Sequence, residues 1–172
     1  MTDPAASPAR PLVVLIGPPG AGKTRLGKRV ARILGAPFID TDRSIVAQHG
    51  AIADIFATHG EPRFRAIERG IVAEALKQPA VVSLGGGAIL DANTQAELVG
   101  HAVVLVTVSA DAIALRIAGS KRPLVSGVSD WSKLVEARRE IYERLATSTW
   151  DTSNRPIDTI AMEIADWVKE NQ

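Results

Sequence analysis

The chain alternates short β-branched apolar runs with longer stretches in which apolar residues recur at helical spacing. Residues 12–16 form an uninterrupted apolar run closed by Gly17 and two prolines, a pattern typical of a strand buried on both faces of a parallel sheet. Similar short runs predict further strands at 38–39, 80–84, 102–107 and about 149–152.

The segments between these runs predict helices. After the first strand, apolar residues recur at helical spacing until Gly35 and Pro37, which predict the end of that helix. The other predicted helices cover roughly 43–57, 61–77, 111–117, 131–147 and 157–168. Because strands alternate with helices of this length, we expect one α/β domain over 12–170 with a parallel sheet. Residues 1–11 are rich in proline and are expected to form a flexible tail.

Composition and charge narrow the possible partners. Of 172 residues, 46% are hydrophobic and 23% are charged, which is typical of a folded globular chain. The net charge of +1 provides no overall field that would attract nucleic acid or an anionic membrane. The chain has no cysteine, which excludes thiolate zinc sites and a cysteine nucleophile. We therefore expect a small-molecule ligand held by a local cluster of side chains.

Because residues 1–11 lack an apolar leader segment and no apolar run is long enough to span a membrane, we expect a cytoplasmic protein. No apolar surface stripe indicates a partner, so a monomer is expected.

One motif points directly to phosphate chemistry. Residues 17–24, here called the P-loop, read GPPGAGKT and satisfy G-x-x-x-x-G-K-[ST] between a buried strand and a helix. Glycines let the backbone N–H groups approach phosphate oxygens, Lys23 would reach the β and γ phosphates, and Thr24 would offer its hydroxyl to Mg²⁺. The alternative is a glycine-rich turn that merely precedes a helix. The complete order of strand, loop, lysine, hydroxyl and helix favours nucleotide binding.

Two carboxylates follow the second predicted strand. Asp40 and Asp42 lie at the carboxyl end of that strand, where open α/β sheets bind their ligands. They could serve Mg²⁺ and an acceptor hydroxyl respectively. The alternative is that Asp42 simply caps the helix that begins near Arg43.

Charged residues and glycines further along the chain are ambiguous by themselves. Arg65 and Glu68 share one helix face, and pairs with this spacing are most often solvated ion pairs. Residues 85–87, here called the glycine turn, directly follow a buried strand. Three glycines permit a close backbone approach to a ligand, but they are equally compatible with a flexible turn.

Taken together and in order, these motifs resemble the shikimate kinases of the nucleoside-monophosphate-kinase branch of P-loop proteins. The resemblance covers about 11–167 and rests on the P-loop, D-T-D, G-E-x-x-F-R-x-I-E, S-L-G-G-G-A, K-R-P-L and R-x-x-x-Y. It implies a P-loop three-layer α/β/α sandwich whose five-stranded parallel sheet has the order 2-3-1-4-5. It also implies a lid loop at about 118–129, substrate-binding helices at about 43–77, and phosphorylation of the shikimate 3-hydroxyl by ATP with Mg²⁺.

The resemblance implies roles for individual residues. A planar guanidinium suits the shikimate carboxylate, and a carboxylate suits its hydroxyls. The implied catalytic residues are Lys23, Asp42 and the lid arginine, Arg122. The implied substrate contacts are Asp42, Arg65, Glu68, Gly85, Gly86, Gly87 and Arg138. The implied nucleotide contacts are Gly20, Ala21, Gly22, Lys23, Thr24, Arg25, Arg116, Arg122 and Arg155. The implied metal contacts are Thr24, Asp40 and Ser83, the last two through water.

Several alternatives stay open at this stage. Arg139 stands beside Arg138 and could contest its role. A kinase for another polyol, such as gluconate, would keep Lys23 and Arg122 but would not need paired arginines around a carboxylated ring. A module that senses its ligand without turnover would more readily have lost Lys23 or Asp42. The tryptophans are widely separated in sequence and are expected to pack in the core.

Overall fold

The computed structural model describes residues 9–118 and 127–172. The strands are β1 (Val13–Ile16), β2 (Phe38–Asp40), β3 (Val81–Ser83), β4 (Val103–Thr107) and β5 (Ser148–Asp151). The helices are α1 (Lys23–Leu34), α2 (Thr41–His49), α3 (Ile52–Ala75), α4 (Ala92–Leu98), α5 (Ala110–Ala118), α6 (Gly127–Leu145) and α7 (Ile157–Glu170), and a 3₁₀ turn at Ala88–Leu90 precedes α4. Most of the expected tail and lid, including Arg122, lies outside the described residues.

All strand pairs in the sheet are parallel, and the strand order is β2-β3-β1-β4-β5. The order and the parallel arrangement implied by the resemblance are therefore confirmed. In the central strand, Val14 pairs with Val82 of β3 on one side and with Val103 of β4 on the other. Because all strands run the same way, their carboxyl ends meet at one edge of the sheet, where β1 leads into the P-loop and β3 into the glycine turn.

The two faces of the sheet bury separate apolar cores. Val13 and Leu15 face one core, which α1 and α7 cover, whereas Val14 and Ile16 face the other, to which α3, α4 and α6 contribute. This alternation follows from the two-residue period of a strand. Helices on both faces make the three-layer sandwich. A smaller cluster of Ile45, Ile55 and Phe64 joins α2 to α3 beside the sheet edge.

The structure differs from the predicted elements in three places. Helix α4 was not predicted, because it shows no apolar period: its buried residues are Thr94 and Leu98. The helix expected over 43–57 is interrupted at Gly50, and α3 is kinked at Gly60, whose φ of 79° lies in the left-handed region. Helix α6 begins at Gly127, earlier than expected. Among the described residues, no helix has both the length and the apolar character needed to cross a membrane.

Candidate active site

The P-loop lies at the carboxyl end of β1 and leads into α1. Its glycines are required by the backbone: Gly20 and Gly22 have φ values of 81° and 95°, and a Cβ on Gly17 would collide with the carbonyl oxygen of Val106. Side chains are disfavoured at such positions. The loop thus brings backbone N–H groups and the amino end of α1 around one anion-binding concavity.

Lys23 points back into the P-loop. Its Nζ donates hydrogen bonds to the carbonyl oxygens of Gly17, at 2.7 Å, and Pro18, at 2.9 Å. Burial lowers the pKa of Lys23 from 10.5 to about 8, although Asp42 and Asp40 partly oppose this shift. The charged lysine is therefore desolvated and easily neutralised, and it stands where phosphate oxygens would stabilise its charge.

Thr24 and Asp40 provide the oxygen atoms expected at a magnesium site. The Thr24 hydroxyl donates to Asp40 Oδ2 at 2.5 Å, and both residues line a cavity of about 340 Å³ together with Lys23, Asp42 and Ser83. Among the described residues, no group of three or more acidic, histidine or cysteine side chains could enclose a metal. A hydroxyl and a carboxylate beside a phosphate site suit Mg²⁺, which keeps several waters and takes few protein ligands.

Asp40 is also the residue that caps α2. Its Oδ1 accepts a hydrogen bond from the backbone N–H of Arg43 at 3.2 Å, whereas Asp42 lies inside the first turn. The alternative reading of Asp42 as the helix cap is therefore wrong. The reason is that the helix begins at Thr41, two residues earlier than expected, so the capping position falls on Asp40.

Two charged side chains lie against the glycine turn. A Cβ on Gly85 would stand 2.5 Å from Asp42 Oδ1, and a Cβ on Gly87 would stand 2.6 Å from Arg65 Nη1. Arg65 Nη1 also donates to Glu68 Oε1 at 2.7 Å, and Glu68 is buried. The pair that was ambiguous in sequence is thus part of a half-buried cluster at the carboxyl edge of the sheet.

Partial burial shifts the pKa values of the two carboxyl groups in this cluster, Asp42 and Glu68. Burial raises the pKa of Asp42, and the neighbouring Asp40 raises it further, while Lys23 and Arg65 act in the opposite direction. Burial also raises the pKa of Glu68, although its hydrogen bond from Arg65 and the charge of that arginine oppose this shift. Partners for these charges are supplied within the cluster rather than by solvent.

Arg138, on α6, faces the same cluster. Burial has the larger effect on both of its charged neighbours. The charge of Arg138 adds to the lowering of the Lys23 pKa by burial and partly opposes the raising of the Glu68 pKa by burial. Arg139, in contrast, is exposed and pairs with Glu136 of its own helix, with 2.8 Å between Nη2 and Oε2. The neighbour that could have contested the role of Arg138 therefore points away from the site.

The glycine turn presents backbone donors to the cluster. The N–H of Gly85 bonds the Thr41 hydroxyl at 3.1 Å, whereas the N–H groups of Gly86 and Gly87 donate to no described residue. A Cβ on Gly86 would stand 3.0 Å from Pro19 Cδ, so the glycine turn and the P-loop are in contact. The two free donors thus lie beside both the charged cluster and the phosphate-binding loop.

A second cavity, of about 270 Å³, opens on the other side of the P-loop. The residues that line it are Gly20, Ala21, Gly22, Arg25, Arg116, Thr152, Arg155 and Ile157. Arg116 donates to the carbonyl oxygens of Gly20 and Thr152, each at 2.7 Å. Every expected nucleotide contact except Arg122, which is not described, therefore lies around or within the P-loop.

Three residues of the site had no assigned role in the sequence analysis. The Thr152 hydroxyl donates to the Ala21 carbonyl oxygen at 2.7 Å, the Trp131 indole N–H donates to that of Pro19 at 2.8 Å, and the Tyr142 hydroxyl donates to that of Gly86 at 2.6 Å. Trp131 is also buried in the core, as expected for a tryptophan. These bonds join segments that are distant in sequence, so no local sequence pattern predicts them. Of the three residues, only Tyr142 belongs to a motif of the sequence analysis, R-x-x-x-Y.

Comparison with known proteins gives one family. The shikimate kinase family model matches residues 19–169. A shikimate kinase of Thermobifida fusca is 46% identical over 162 residues, covering 91% of this chain and 94% of the relative, and one of Corynebacterium efficiens is 44% identical over 161 residues, covering 91% and 95%. A solved shikimate kinase from Acinetobacter baumannii, in complex with shikimate, superposes with a TM-score of 0.85 at 30% identity and 95% coverage of both chains. The chain belongs to the shikimate kinase family.

Proposed function

We propose that the site transfers the γ-phosphoryl group of ATP to the 3-hydroxyl of shikimate, giving ADP and shikimate 3-phosphate. Membership of the family makes the chain a small-molecule kinase with ATP as donor. One observation carries the assignment of residues: Asp42 and Arg65 lie against the same glycine turn, and that turn contacts the P-loop. An acceptor held there is adjacent to the phosphate that it attacks.

Recognition of the acceptor follows from the chemistry of the cluster. Shikimate carries one carboxylate and three hydroxyls, so its acid group would pair with Arg65 and Arg138, because a planar guanidinium binds a carboxylate through two parallel hydrogen bonds. Glu68 holds Arg65 in place through their 2.7 Å hydrogen bond. Asp42 would accept from the ring hydroxyls, and the glycine turn would supply backbone donors from Gly85, Gly86 and Gly87.

The chemical step depends mainly on positioning and charge. Phosphoryl transfer passes through a loose transition state, so Asp42 orients the attacking hydroxyl and receives its proton rather than generating a full alkoxide. Lys23 and the lid residue Arg122 stabilise the charge on the phosphate oxygens. Magnesium, when bound, would neutralise charge on the β and γ phosphates, and Thr24, Asp40 and Ser83 would hold it, in part through water.

The cavity of about 270 Å³ beside the P-loop would hold the nucleoside part of ATP. Its lining arginines, Arg25, Arg116 and Arg155, offer flat cationic surfaces to a base. Arg116 is bound to two carbonyl oxygens, so its guanidinium plane is fixed before the nucleotide arrives. This arrangement supports a preformed adenine site between α5 and the start of α7.

A coupled assay for ADP tests the function. The protein is mixed with Mg·ATP and with shikimate, gluconate or no acceptor, and ADP release is followed. We expect release that depends on shikimate and not on gluconate. ADP with gluconate alone would indicate another polyol kinase, and shikimate binding without ADP would indicate a sensing module.

The oligomeric state and location complete the proposal. We propose a cytoplasmic monomer without nucleic-acid or membrane partners, since the net charge is +1 and the described helices include no membrane span. Light scattering should give the chain mass of 18.2 kDa with and without shikimate. A mass that doubles with concentration would contradict the monomer.

A further inference from the structure

The glycine turn is held from behind by a tyrosine that does not line either cavity. Tyr142 lies on α6, is only 2% exposed and packs in the core between α6 and the sheet. Its hydroxyl donates to the carbonyl oxygen of Gly86 at 2.6 Å. This bond attaches α6 directly to the turn that contacts Asp42 and Arg65.

The direction of this bond determines what the turn presents to a ligand. In a trans peptide, the C=O of one residue and the N–H of the next point in opposite directions, and the described chain contains no cis peptide. Fixing the Gly86 carbonyl toward Tyr142 therefore directs the Gly87 N–H away from the core. That N–H donates to no described residue, and Gly87 lies against the guanidinium of Arg65.

The Tyr142 phenol stays a donor at neutral pH. Burial raises the pKa of Tyr142, and the nearby Arg138 lowers it only in part, so the phenol keeps its proton. The hydroxyl can therefore hold the Gly86 carbonyl oxygen throughout the working range of the enzyme.

We infer that Tyr142 is a positioning residue for the acceptor: its hydroxyl fixes the Gly86–Gly87 peptide so that the Gly87 N–H faces the shikimate site. The inference rests on the proposed function. It predicts that Tyr142 affects shikimate binding and leaves ATP binding nearly unchanged, because a different bond, from Trp131 at the other end of α6 to Pro19, holds the P-loop.

The first test compares Tyr142→Phe with Thr147→Val. Both variants remove a hydroxyl that donates to a backbone carbonyl, but Thr147 bonds Val103, at the amino end of β4 and on the opposite edge of the sheet. We expect Tyr142→Phe to raise the KM for shikimate about fivefold, the effect of losing one hydrogen bond, with the KM for ATP changed less than twofold. Thr147→Val should leave both values unchanged even if its melting temperature falls.

A second test uses the intact protein and does not depend on a variant that folds. Tyr142 is the single tyrosine of the chain, so incorporation of 3-fluorotyrosine places one fluorine beside the glycine turn. We expect the ¹⁹F resonance to shift when shikimate is added and to shift much less when ADP is added. A resonance that shikimate does not move would overturn the inference.

The outcomes separate this inference from the proposed function. If the unmodified protein releases no ADP with shikimate, the proposed function fails. If it is active but Tyr142→Phe leaves the shikimate KM unchanged, or raises the KM values of shikimate and ATP equally, the positioning role of Tyr142 is wrong. Selective loss of shikimate affinity together with the fluorine shift would support it.

Discussion

The nucleotide half and the acceptor half of the site are built in different ways. The phosphate-binding part of the nucleotide half is one continuous segment, the P-loop, which is bonded to itself through Lys23 and the carbonyl oxygens of Gly17 and Pro18. The arginines beside it, Arg116 and Arg155, come from other segments. The acceptor half is assembled from the start of α2, from α3, from the glycine turn and from α6. Phosphate binding is therefore a property of local backbone geometry, and the acceptor half depends on how distant elements pack.

This difference changes what each half contributes. The P-loop offers backbone donors and one lysine to any polyphosphate, so by itself it does not choose an acceptor. The acceptor half concentrates buried charges, and burial raises the pKa values of Asp42 and Glu68. Selectivity is therefore expected to reside in the assembled half, and substitutions there should alter shikimate use more than nucleotide use.

The largest effect is expected from Lys23→Ala in the nucleotide half. Removing a cation that stabilises the transferring phosphoryl group should lower kcat by about 1,000-fold. Single-turnover kinetics with saturating shikimate measures this change. Lys28→Ala, on the exposed face of the same helix, is the matched control and should retain activity. A kcat within tenfold of the unmodified enzyme would remove Lys23 from the chemical step.

A somewhat smaller effect is expected from Arg65→Ala in the acceptor half. Loss of a charge-assisted partner for the substrate carboxylate costs about 2 to 4 kcal/mol, which corresponds to a KM for shikimate raised about 100-fold. The ATP KM should stay close to normal. Arg139→Ala is the control, because that arginine is exposed and pairs on its own helix. Equal effects of the two substitutions on the shikimate KM would contradict the assignment.

Two glycines of the glycine turn, Gly85 and Gly87, allow the roles of Asp42 and Arg65 to be tested separately. In Gly85→Ala the new methyl group would displace Asp42, and in Gly87→Ala it would displace Arg65. Because small misplacements of catalytic groups are costly, we expect kcat to fall about 30-fold in the first variant and the shikimate KM to rise about 30-fold in the second. Steady-state kinetics separates the two. Identical kinetic effects would show that the turn acts as one unit.

The smallest expected effect is a dependence of ATP affinity on pH, which arises from Lys23 in the nucleotide half. Lys23 has a pKa of about 8, and phosphate binds its charged form, so ATP affinity should fall as the pH rises through that value. Between pH 7 and 9 the apparent Kd should increase about tenfold, with proton uptake on binding near pH 8. Calorimetry in buffers of different ionisation enthalpy measures both. Constant affinity over this range would mean that Lys23 stays charged in the free protein.

The sequence predicted the two halves unequally, for a physical reason. The P-loop, the buried β1 and the end of α1 at Gly35 follow local rules, and each was predicted from the residues themselves. The strand order and the grouping of Asp42, Arg65 and Arg138 came from a family resemblance, because periodicity does not specify which distant elements meet. Helix α4 was missed because Leu98 is its only buried apolar residue, so the segment shows no apolar stripe at helical spacing.

Individual residues were also missed or misassigned, because local sequence patterns do not fix exact helix ends or long-range contacts. Asp40 rather than Asp42 caps α2, since helix ends shift by a residue or two from any sequence pattern. The bonds from Trp131 to Pro19 and from Tyr142 to Gly86 span 112 and 56 residues, so only the folded chain reveals them. Such contacts lie behind the site, where the sequence shows only an aromatic residue in a helix.

The most direct test compares shikimate with its carboxamide, which keeps the ring and hydroxyls but loses the negative charge. The unmodified enzyme should prefer shikimate by about 100-fold in kcat/KM, and Arg65→Ala should reduce that preference to within a few-fold, because the discriminating charge pair is gone. Equal use of acid and amide by the unmodified enzyme, or an unchanged preference in Arg65→Ala, would contradict the proposal that half-buried guanidinium groups select the acceptor.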